Sequence, residues 1–207
     1  MFVKICGVTS VADALQALEA GADAVGLILA ESPRRIEPEA AAEIVRALPS
    51  GAMAVAVFRH ERTDRIVEAV RATGVRAAQV HGAEPSELHE LREAIPFLIE
   101  AVPAGNGAVS RLAESEADLV LVDSAHPGSG LQFDWAVLGR APRERLVLAG
   151  GLTPDNVGEA VAAVRPFGVD VASGVEAAPG TKDHGKVRAF VERARTAAAN
   201  GGPAGDA

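Results

Sequence analysis

The sequence predicts an α/β fold, a single compact TIM (β/α)8 barrel, from three observations. Eight short apolar runs alternate along the 207 residues with stretches of helical character. The runs are almost continuously apolar, as expected of strands that are buried on both faces. Eight strand–helix units of about 26 residues each fit a minimal barrel, whereas an open doubly wound sheet usually has about five or six strands.

Each predicted strand is five to seven residues long and rich in Val, Leu and Ile. Parallel barrel strands end at a common mouth, so the residues that end these strands are candidates for function. The eight predicted strands are, in order, Phe2–Cys6, Asp23–Leu29, Ala52–Phe58, Ala77–His81, Phe97–Val102, Asp118–Asp123, Arg145–Ala149 and Gly168–Ala172.

A predicted helix follows each strand, and several helices carry start or stop signals. Ser10 and Asp13 resemble a capping box, and Thr153 precedes Pro154 at a first helical position. Gly74 follows the third helix, where a left-handed residue often ends a helix. The predicted helices are Ser10–Ala20, Pro38–Leu48, Thr63–Thr73, Pro85–Ala94, Val109–Glu114, Phe133–Gly139, Pro154–Val164 and Asp183–Thr196.

Composition and charge exclude several classes of function. Twenty Lys and Arg against 28 Asp and Glu give a net charge of −8, which argues against a nucleic-acid surface. No apolar stretch approaches the roughly 20 residues that span a membrane. A single cysteine excludes an internal disulfide and favours a reducing compartment. We therefore expect a cytoplasmic barrel over residues 1–197, with no nucleic-acid or membrane partner, followed by a flexible tail over residues 198–207.

Two titratable residues end strands on opposite sides of the predicted mouth. Cys6 ends the first strand and Asp123 ends the sixth, and side-chain alternation points both inward, with Lys4 on the same face as Cys6. Lys4 favours a Cys6 thiolate, while burial favours a protonated Asp123. The pair therefore predicts general acid–base catalysis. The alternatives are a small buried cysteine and an aspartate that only caps a helix or turn.

Further candidates lie near the same mouth. His81 ends the fourth strand. It is a candidate for contact with a ligand, and the equal alternative is that it only hydrogen-bonds to neighbouring loops. Asp170 is expected to pair with Lys4 and is included among the candidate substrate contacts. Arg34 and Arg35 follow the second strand and, being adjacent, point in different directions. At most one of them can enter the site, where its planar guanidinium could bind a carboxylate; the alternative is that both face solvent.

Glycine-rich sequences end the seventh and eighth strands and predict a phosphate site. Gly150 and Gly151, with Ser173 and Gly174, allow backbone N–H groups and a hydroxyl to approach an anion closely. Because the net charge of the chain would repel an anion, these local donors must supply the attraction. The loop over residues 123–130 is expected to be a mobile lid over the mouth.

Nine stretches match one known family in order and at consistent spacing. They are VKICGVT (3–9), GADAVGLIL (21–29), SPRRI (32–36), the looser AVFRH (56–60), QVHGAE (79–84), LVLVDS (119–124), GSGLQFDW (128–135), LAGGLTPDNV (148–157) and DVASGVEAAPGTKDHGK (170–186). The sequence thereby resembles the phosphoribosylanthranilate isomerases of tryptophan biosynthesis. This resemblance implies a general base at Cys6, a general acid at Asp123, an anthranilate carboxylate on Arg34 and a phosphate on the two glycine-rich loops.

The resemblance also implies the reaction. It is an aldose–ketose isomerisation, the Amadori rearrangement of N-(5-phosphoribosyl)anthranilate to 1-(2-carboxyphenylamino)-1-deoxy-D-ribulose 5-phosphate. We expect a small phosphosugar substrate, no metal or organic cofactor, and a monomer or homodimer. One alternative is a histidine-pathway aminoaldose isomerase, which uses two aspartates where this chain has Cys6 and Asp123. The other is a non-catalytic phosphosugar-binding barrel, which would need neither group.

Overall fold

The computed structural model describes residues 1–105, 107–124, 132–139 and 141–200 and contains the predicted closed barrel. Each strand pairs in parallel with the next, and the eighth returns to pair with the first. The predicted strands agree with the observed ones to within one residue at each end. The strands are β1 (Phe2–Cys6), β2 (Ala24–Ile28), β3 (Met53–Arg59), β4 (Ala77–His81), β5 (Phe97–Pro103), β6 (Leu119–Asp123), β7 (Leu146–Leu148) and β8 (Gly168–Val171).

Seven α-helices occur in the described residues, and their local sequences explain their ends. The Ser10 hydroxyl accepts a hydrogen bond from the Asp13 amide, 3.1 Å away, and so caps the first helix as predicted. Gly74 ends the third helix in the left-handed conformation, with φ of 74°. The helices are α1 (Val11–Glu19), α2 (Pro38–Ala47), α3 (Thr63–Thr73), α4 (Pro85–Ala94), α5 (Ala108–Glu114), α6 (Val157–Val164) and α7 (His184–Asn200).

The predicted helix Phe133–Gly139 is wrong. The chain forms only a short 3-10 helix, Trp135–Leu138, which the Asp134 carboxylate caps by accepting a hydrogen bond from the Ala136 amide. Gly139 follows with a φ of 38°, outside the helical region, and Pro142 comes three residues later. Both residues oppose continuation of a helix, so the sixth connection has no full α-helix in its described part.

The eighth connection contains elements that the sequence did not predict. A 3-10 helix over Ser173–Val175 leads into a short antiparallel hairpin of β9 (Glu176–Ala178) and β10 (Thr181–Lys182). Helix α7 then runs to Asn200, so the predicted boundary of the tail at residue 198 lies inside this helix. Residues 201–207 lie outside the described residues.

The interior of the barrel is apolar below its mouth. Inward-facing side chains fill it from several strands, among them Ala24, Val55, Ile99, Leu121 and Val147. A second and larger apolar layer lies between the strands and the surrounding helices. The polar groups at the carboxyl ends of the strands therefore lie directly above a packed apolar core. In the described part of the chain, no helix is both long and apolar enough to cross a membrane.

Candidate active site

A buried ion pair closes the barrel between its first and last strands. Lys4 and Asp170 are register partners across β1 and β8, and Lys4 Nζ donates to Asp170 Oδ1 at 2.8 Å, as predicted. Lys4 has no exposed surface. Burial acts to lower the pKa of Lys4, but the Asp170 carboxylate and Cys6 together outweigh this effect and raise the pKa above its ordinary value. The pair therefore fixes the Lys4 ammonium and its counter-charge one step below Cys6.

A cavity of about 360 Å³ opens at the carboxyl ends of the strands. Five of the predicted site residues line it: Cys6, Arg34, His81, Asp123 and Asp170. The strands that carry Cys6 and Asp123 are β1 and β6, and β7 and β8 separate them on the shorter way round the barrel. The sequence-predicted acid–base pair thus shares one cavity with the predicted carboxylate-binding arginine.

Cys6 lies almost wholly buried where β1 ends, beside β2. Gly26 makes room for it, because a Cβ on that glycine would stand 2.7 Å from the Cys6 sulfur. Burial raises the pKa of the Cys6 thiol above its ordinary value, against the opposing effects of Lys4 and Lys182. The expectation that Lys4 favours a Cys6 thiolate is therefore wrong for the pKa of this thiol, because desolvation outweighs the nearby charge.

Asp123 has the raised pKa that the sequence predicted. Burial, reinforced by the Asp170 carboxylate, raises the pKa of Asp123 to about 6. Its Oδ1 accepts a hydrogen bond from the Ser124 amide at 2.7 Å, which fixes the carboxyl group. Gly150 lies directly behind, since a Cβ there would stand 2.6 Å from the Ser124 nitrogen. Asp123 is therefore held rigidly and can exchange a proton near neutral pH.

His81 is a neutral group at the edge of the cavity. Burial, with smaller effects from Lys4 and Arg59, lowers the pKa of His81 to about 4. Gln79 lies two residues earlier on β4, and its Nε2 is 3.0 Å from His81 Nε2. Because the amide nitrogen is a donor, His81 Nε2 accepts and the ring proton is assigned to Nδ1.

Gln79 is a cavity residue that the sequence interpretation did not single out. Its side chain is buried, and its Oε1 has no hydrogen-bond partner among the described residues. Strand alternation alone places it inward one step below His81, and the QVH spacing could have identified it. The carbonyl oxygen is free to accept a hydrogen bond from a hydroxyl or a water in the cavity.

The glycine-rich loops form a smaller hollow of about 40 Å³ beside the cavity. Gly150, Gly151 and Ser173 line it together with Asp123 and Asp170, which also line the main cavity. Gly150 and Gly151 have φ values of 86° and 65°, a turn that favours glycine. The hollow and the cavity are therefore contiguous at the Asp123 side.

Gly174, the remaining predicted residue, does not line either space but lies behind the hollow. It packs against the carbonyl of Leu152 in the loop that follows β7. Asn156 holds that same loop, because its Nδ2 donates to the Gly151 carbonyl at 2.9 Å and its Oδ1 accepts from the Thr153 amide at 2.8 Å. This turn delays the start of α6 from the predicted Pro154 to Val157.

Arg34 enters the site and Arg35 does not, as expected for adjacent arginines. Arg34 is buried and lines the cavity, whereas Arg35 is half exposed beside Glu37. Arg34 donates from Nε and Nη2 to the two carboxylate oxygens of Glu176, each at 2.8 Å. Hydrogen bonding to Glu176 raises the pKa of Arg34, so the guanidinium remains charged.

Lys182 was missed by the sequence interpretation, as was the role of Glu176. The hairpin brings the Lys182 ammonium to 2.9 Å from Glu176 Oε1, with its side chain fully buried. Burial lowers the pKa of Lys182, although Glu176 offsets part of the effect. The Pro179–Gly180 dipeptide, which often marks a turn, was the one local signal for the hairpin.

Two expectations have no structural outcome here. The predicted lid, apart from Asp123 and Ser124, lies outside the described residues. Within the described ranges, no three or more His, Cys, Asp or Glu side chains are grouped as a metal site would require. The absence of a cofactor from the reaction remains a prediction.

Sequence and structure comparisons agree on one family. The family model described as N-(5'phosphoribosyl)anthranilate (PRA) isomerase matches residues 3–193. The N-(5'-phosphoribosyl)anthranilate isomerase of Geobacter sp. (strain M21) is 43% identical over 200 residues, which cover 93% of this chain and 97% of that protein. The match thus extends over nearly the whole barrel.

Solved structures show the same similarity. A phosphoribosyl anthranilate isomerase in complex with reduced 1-(o-carboxyphenylamino)-1-deoxyribulose 5-phosphate has a TM-score of 0.83 and 39% identity, covering 95% of this chain and 99% of that one. Monomers generated from the dimeric Thermotoga maritima enzyme have a TM-score of 0.82 and 38% identity, covering 94% and 98%. Family match, identity and fold lead to one conclusion: the chain belongs to the N-(5'-phosphoribosyl)anthranilate isomerase family.

Proposed function

We propose that this chain catalyses the Amadori rearrangement of N-(5-phosphoribosyl)anthranilate to 1-(2-carboxyphenylamino)-1-deoxy-D-ribulose 5-phosphate. The observation that carries the proposal is the shared cavity, which Cys6, Asp123 and Arg34 line together. An acid, a base and a carboxylate partner are the groups that this isomerisation requires. A binding protein would need neither the buried thiol nor the carboxyl with a raised pKa.

The binding mode divides the substrate between two ends of the site. Backbone N–H groups around Gly150 and Gly151, with the Ser173 hydroxyl, bind the phosphate in the small hollow. Arg34 binds the anthranilate carboxylate on the β2 side. The ribose then lies between Cys6 and Asp123, where His81, Gln79 and Asp170 face it.

The chemistry needs one protonated and one deprotonated group. The Asp123 carboxyl donates its proton to the ribose ring oxygen, the C1–O bond breaks, and the anthranilate nitrogen lone pair forms an iminium with C1. The Cys6 thiolate then removes the proton from C2, giving an enolamine. Protonation at C1 and loss of the proton from the C2 hydroxyl yield the ketone, and return of a proton from Cys6 to Asp123 restores the pair, so atoms and electrons balance over the whole cycle.

Near neutral pH the pair holds its proton on Cys6, whereas these steps require it on Asp123. The pKa of Asp123 is about 6 and the pKa of the Cys6 thiol is raised, so near pH 7 Asp123 is mostly ionised and Cys6 is mostly a thiol. A phosphate dianion in the adjoining hollow raises the pKa of Asp123 further by charge repulsion. Substrate binding thereby moves Asp123 toward the protonated state in which it can act as the general acid.

Partners and compartment follow from the same proposal. We infer that the chain acts in the cytoplasm on a small phosphosugar and binds no nucleic acid, in keeping with its net charge of −8. It functions as a monomer or as a homodimer, the latter being the state described for the Thermotoga maritima relative. Sedimentation or light scattering of the purified chain distinguishes the two states.

A fluorescence assay tests the proposed function directly. Loss of the fluorescent anthranilate substrate is followed with the wild-type chain and with Cys6→Ala and Asp123→Ala variants. Rapid loss with the wild type and a fall of about 10²–10⁴-fold in each variant support the proposal. The histidine-pathway aminoaldose is tested in parallel, and exclusive turnover of that sugar would contradict it.

A further inference from the structure

The hairpin of β9 and β10 is hydrogen-bonded to the loop that follows β1 and, with the start of α7, to the first turn of α1. The Thr9 hydroxyl donates to the Gly180 carbonyl at 2.6 Å, and the Lys182 amide donates to Asp13 Oδ2 at 3.3 Å. His184 Nε2 lies 2.8 Å from the other oxygen of Asp13. These contacts join the first and last connections of the barrel, so the hairpin is a fixed platform next to Cys6.

On this hairpin the Glu176 carboxylate accepts hydrogen bonds from two cations, Arg34 and Lys182. Both oxygens of Glu176 accept from Arg34, and Oε1 also accepts from Lys182 Nζ at 2.9 Å and from the Gly180 amide at 3.3 Å. Glu176 is buried, and hydrogen bonds from Arg34 and Lys182 outweigh its desolvation and lower its pKa. The carboxylate is therefore ionised and fully engaged at neutral pH.

Glu176 uses only one edge of the Arg34 guanidinium. The bonds come from Nε and Nη2, which is the side-on edge of the planar fork. Among the described residues no acceptor engages Nη1, so the end-on edge, made of Nη1 and the second N–H of Nη2, has free donors. A second carboxylate can bind that edge with two hydrogen bonds while Glu176 holds the first.

Lys182 supplies the positive charge that the Arg34–Glu176 pair lacks. An arginine paired with one glutamate has no net charge and attracts a further carboxylate only weakly. The Lys182 ammonium, hydrogen-bonded to the same Glu176 oxygen, gives the three groups a net charge of +1. Its side chain is fully buried, so solvent screens this charge little.

We propose that Glu176 and Lys182 are positioning residues for the substrate carboxylate, Glu176 by fixing the orientation of Arg34 and Lys182 by keeping the cluster positive. The inference rests on the proposed function and extends it, because it assigns selectivity for an ortho-carboxylated aromatic amine to residues that line no part of the cavity. The Glu176–Lys182 pair acts through Arg34 and does not touch the reacting atoms.

Two ligands separate this role from a general structural one. One is reduced 1-(o-carboxyphenylamino)-1-deoxyribulose 5-phosphate, and the other is the same compound without the carboxylate. Their dissociation constants are measured by calorimetry with the wild type, Glu176→Gln and Lys182→Met. We expect each variant to lose about tenfold in affinity for the carboxylated ligand and to stay within about twofold for the other.

Glu176→Gln also separates orientation from charge. The substitution removes a negative charge near Arg34, so a purely electrostatic role predicts tighter binding of the carboxylated ligand, whereas loss of orientation predicts weaker binding. Glu100→Gln is the matched control. Glu100 is also buried and pairs with Arg111 behind β5, so its variant is expected to change stability but not the ratio of the two affinities.

The outcomes distinguish the inference from the proposed function. Equal losses for both ligands, or tighter binding of the carboxylated ligand by Glu176→Gln, overturn the inference and leave the function intact. An unchanged ratio in Lys182→Met overturns the part assigned to that residue, and this variant also serves if Glu176→Gln does not fold. A wild-type chain that neither binds the carboxylated ligand nor turns over the anthranilate substrate overturns both.

Discussion

Gly174 lies so close to Leu152 that a Cβ on the glycine would stand 1.9 Å from the Leu152 carbonyl oxygen. The loops after β7 and β8 therefore touch backbone to backbone, and only glycine permits this at position 174. The approach aligns the two loops that form the small hollow at Gly150, Gly151 and Ser173. The relative position of the two loops at the proposed phosphate site thus depends on Gly174, which does not line that site.

Gly174→Ala tests this dependence. We expect a loss of about 2–3 kcal/mol in the free energy of unfolding, because backbone must shift to relieve the overlap, together with a raised KM. Gly158→Ala in α6 is the control: no atom lies within 4 Å of its Cβ position, and we expect a gain of about 0.5–1 kcal/mol. Urea unfolding and steady-state kinetics measure both, and a Gly174→Ala chain as stable as the wild type would contradict the close contact.

Cys6→Ser tests the proposed base with little change in size. The serine hydroxyl stays protonated where a thiol can ionise, so we expect kcat to fall by about 10²–10⁴-fold with the fold intact. The fluorescence assay gives kcat, and circular dichroism checks the fold. Turnover near the wild-type rate would remove Cys6 from the mechanism.

Asp123→Asn should stabilise the chain while abolishing most activity. An unfolded aspartate has a pKa of about 3.9, but burial raises the pKa of Asp123 in the folded chain to about 6. Between these values the folded state retains a proton that the unfolded state has lost, so stability falls as the pH rises through this window. We expect the variant to gain about 2 kcal/mol at pH 7 in chemical denaturation.

The pH dependence of that gain is the control. Below about pH 3 the wild-type carboxyl is neutral in both states, so the two chains should then have nearly equal free energies of unfolding. The asparagine keeps the oxygen that accepts from the Ser124 amide, so this contact is preserved. A variant less stable than the wild type at pH 7 would show that ionised Asp123 is not a source of instability.

His81 should remain neutral well below the ordinary range of histidine. Burial lowers the pKa of His81 to about 4, whereas the Glu116 carboxylate raises the pKa of His89. Nitrogen-15 NMR of the histidine rings therefore should show His89 titrating above about pH 6.5 and His81 still neutral at about pH 5. Protonation of His81 near pH 6 would mean that water reaches the ring freely.

Asp170→Asn should be strongly destabilising because it leaves Lys4 buried without its counter-charge. We expect a loss of about 3–5 kcal/mol in the free energy of unfolding. Lys4→Met in the same chain removes the uncompensated charge, so the double variant should recover part of the loss. Strictly additive losses in denaturant titrations would contradict a direct coupling between the two side chains.

Much of the fold could be predicted because barrel strands carry a strong local signal. The run from Leu119 to Val122 is apolar on both faces and ends in Asp123, which marks both the strand and its functional end. The Lys4–Asp170 pair followed from alternation and the closure of β1 on β8. Periodicity and strand order together therefore led to the candidate acid and base.

The remainder depends on contacts distant in sequence. Nothing near Lys182 indicates that it meets Glu176 and Arg34, because their meeting depends on the hairpin and on its hydrogen bonds to Thr9 and Asp13. The protonation state of Cys6 cannot be predicted from the sequence for a related reason. The sequence shows that Lys4 is close to Cys6. How deeply Cys6 is buried depends on the assembled barrel, and this burial has a larger effect on the pKa of the thiol than the Lys4 charge.

The closure of β1 on β8 also governs when the site can first exist during protein synthesis. Lys4 and Asp170 are 166 residues apart, so at about 5–20 residues per second the ribosome adds the aspartate on the order of ten seconds or more after the lysine. Until then the first strand has no neighbour on one side, and Cys6 has neither its buried setting nor the hairpin beside it. A chain truncated before β8 should therefore be inactive. The activity arises only when translation is nearly complete.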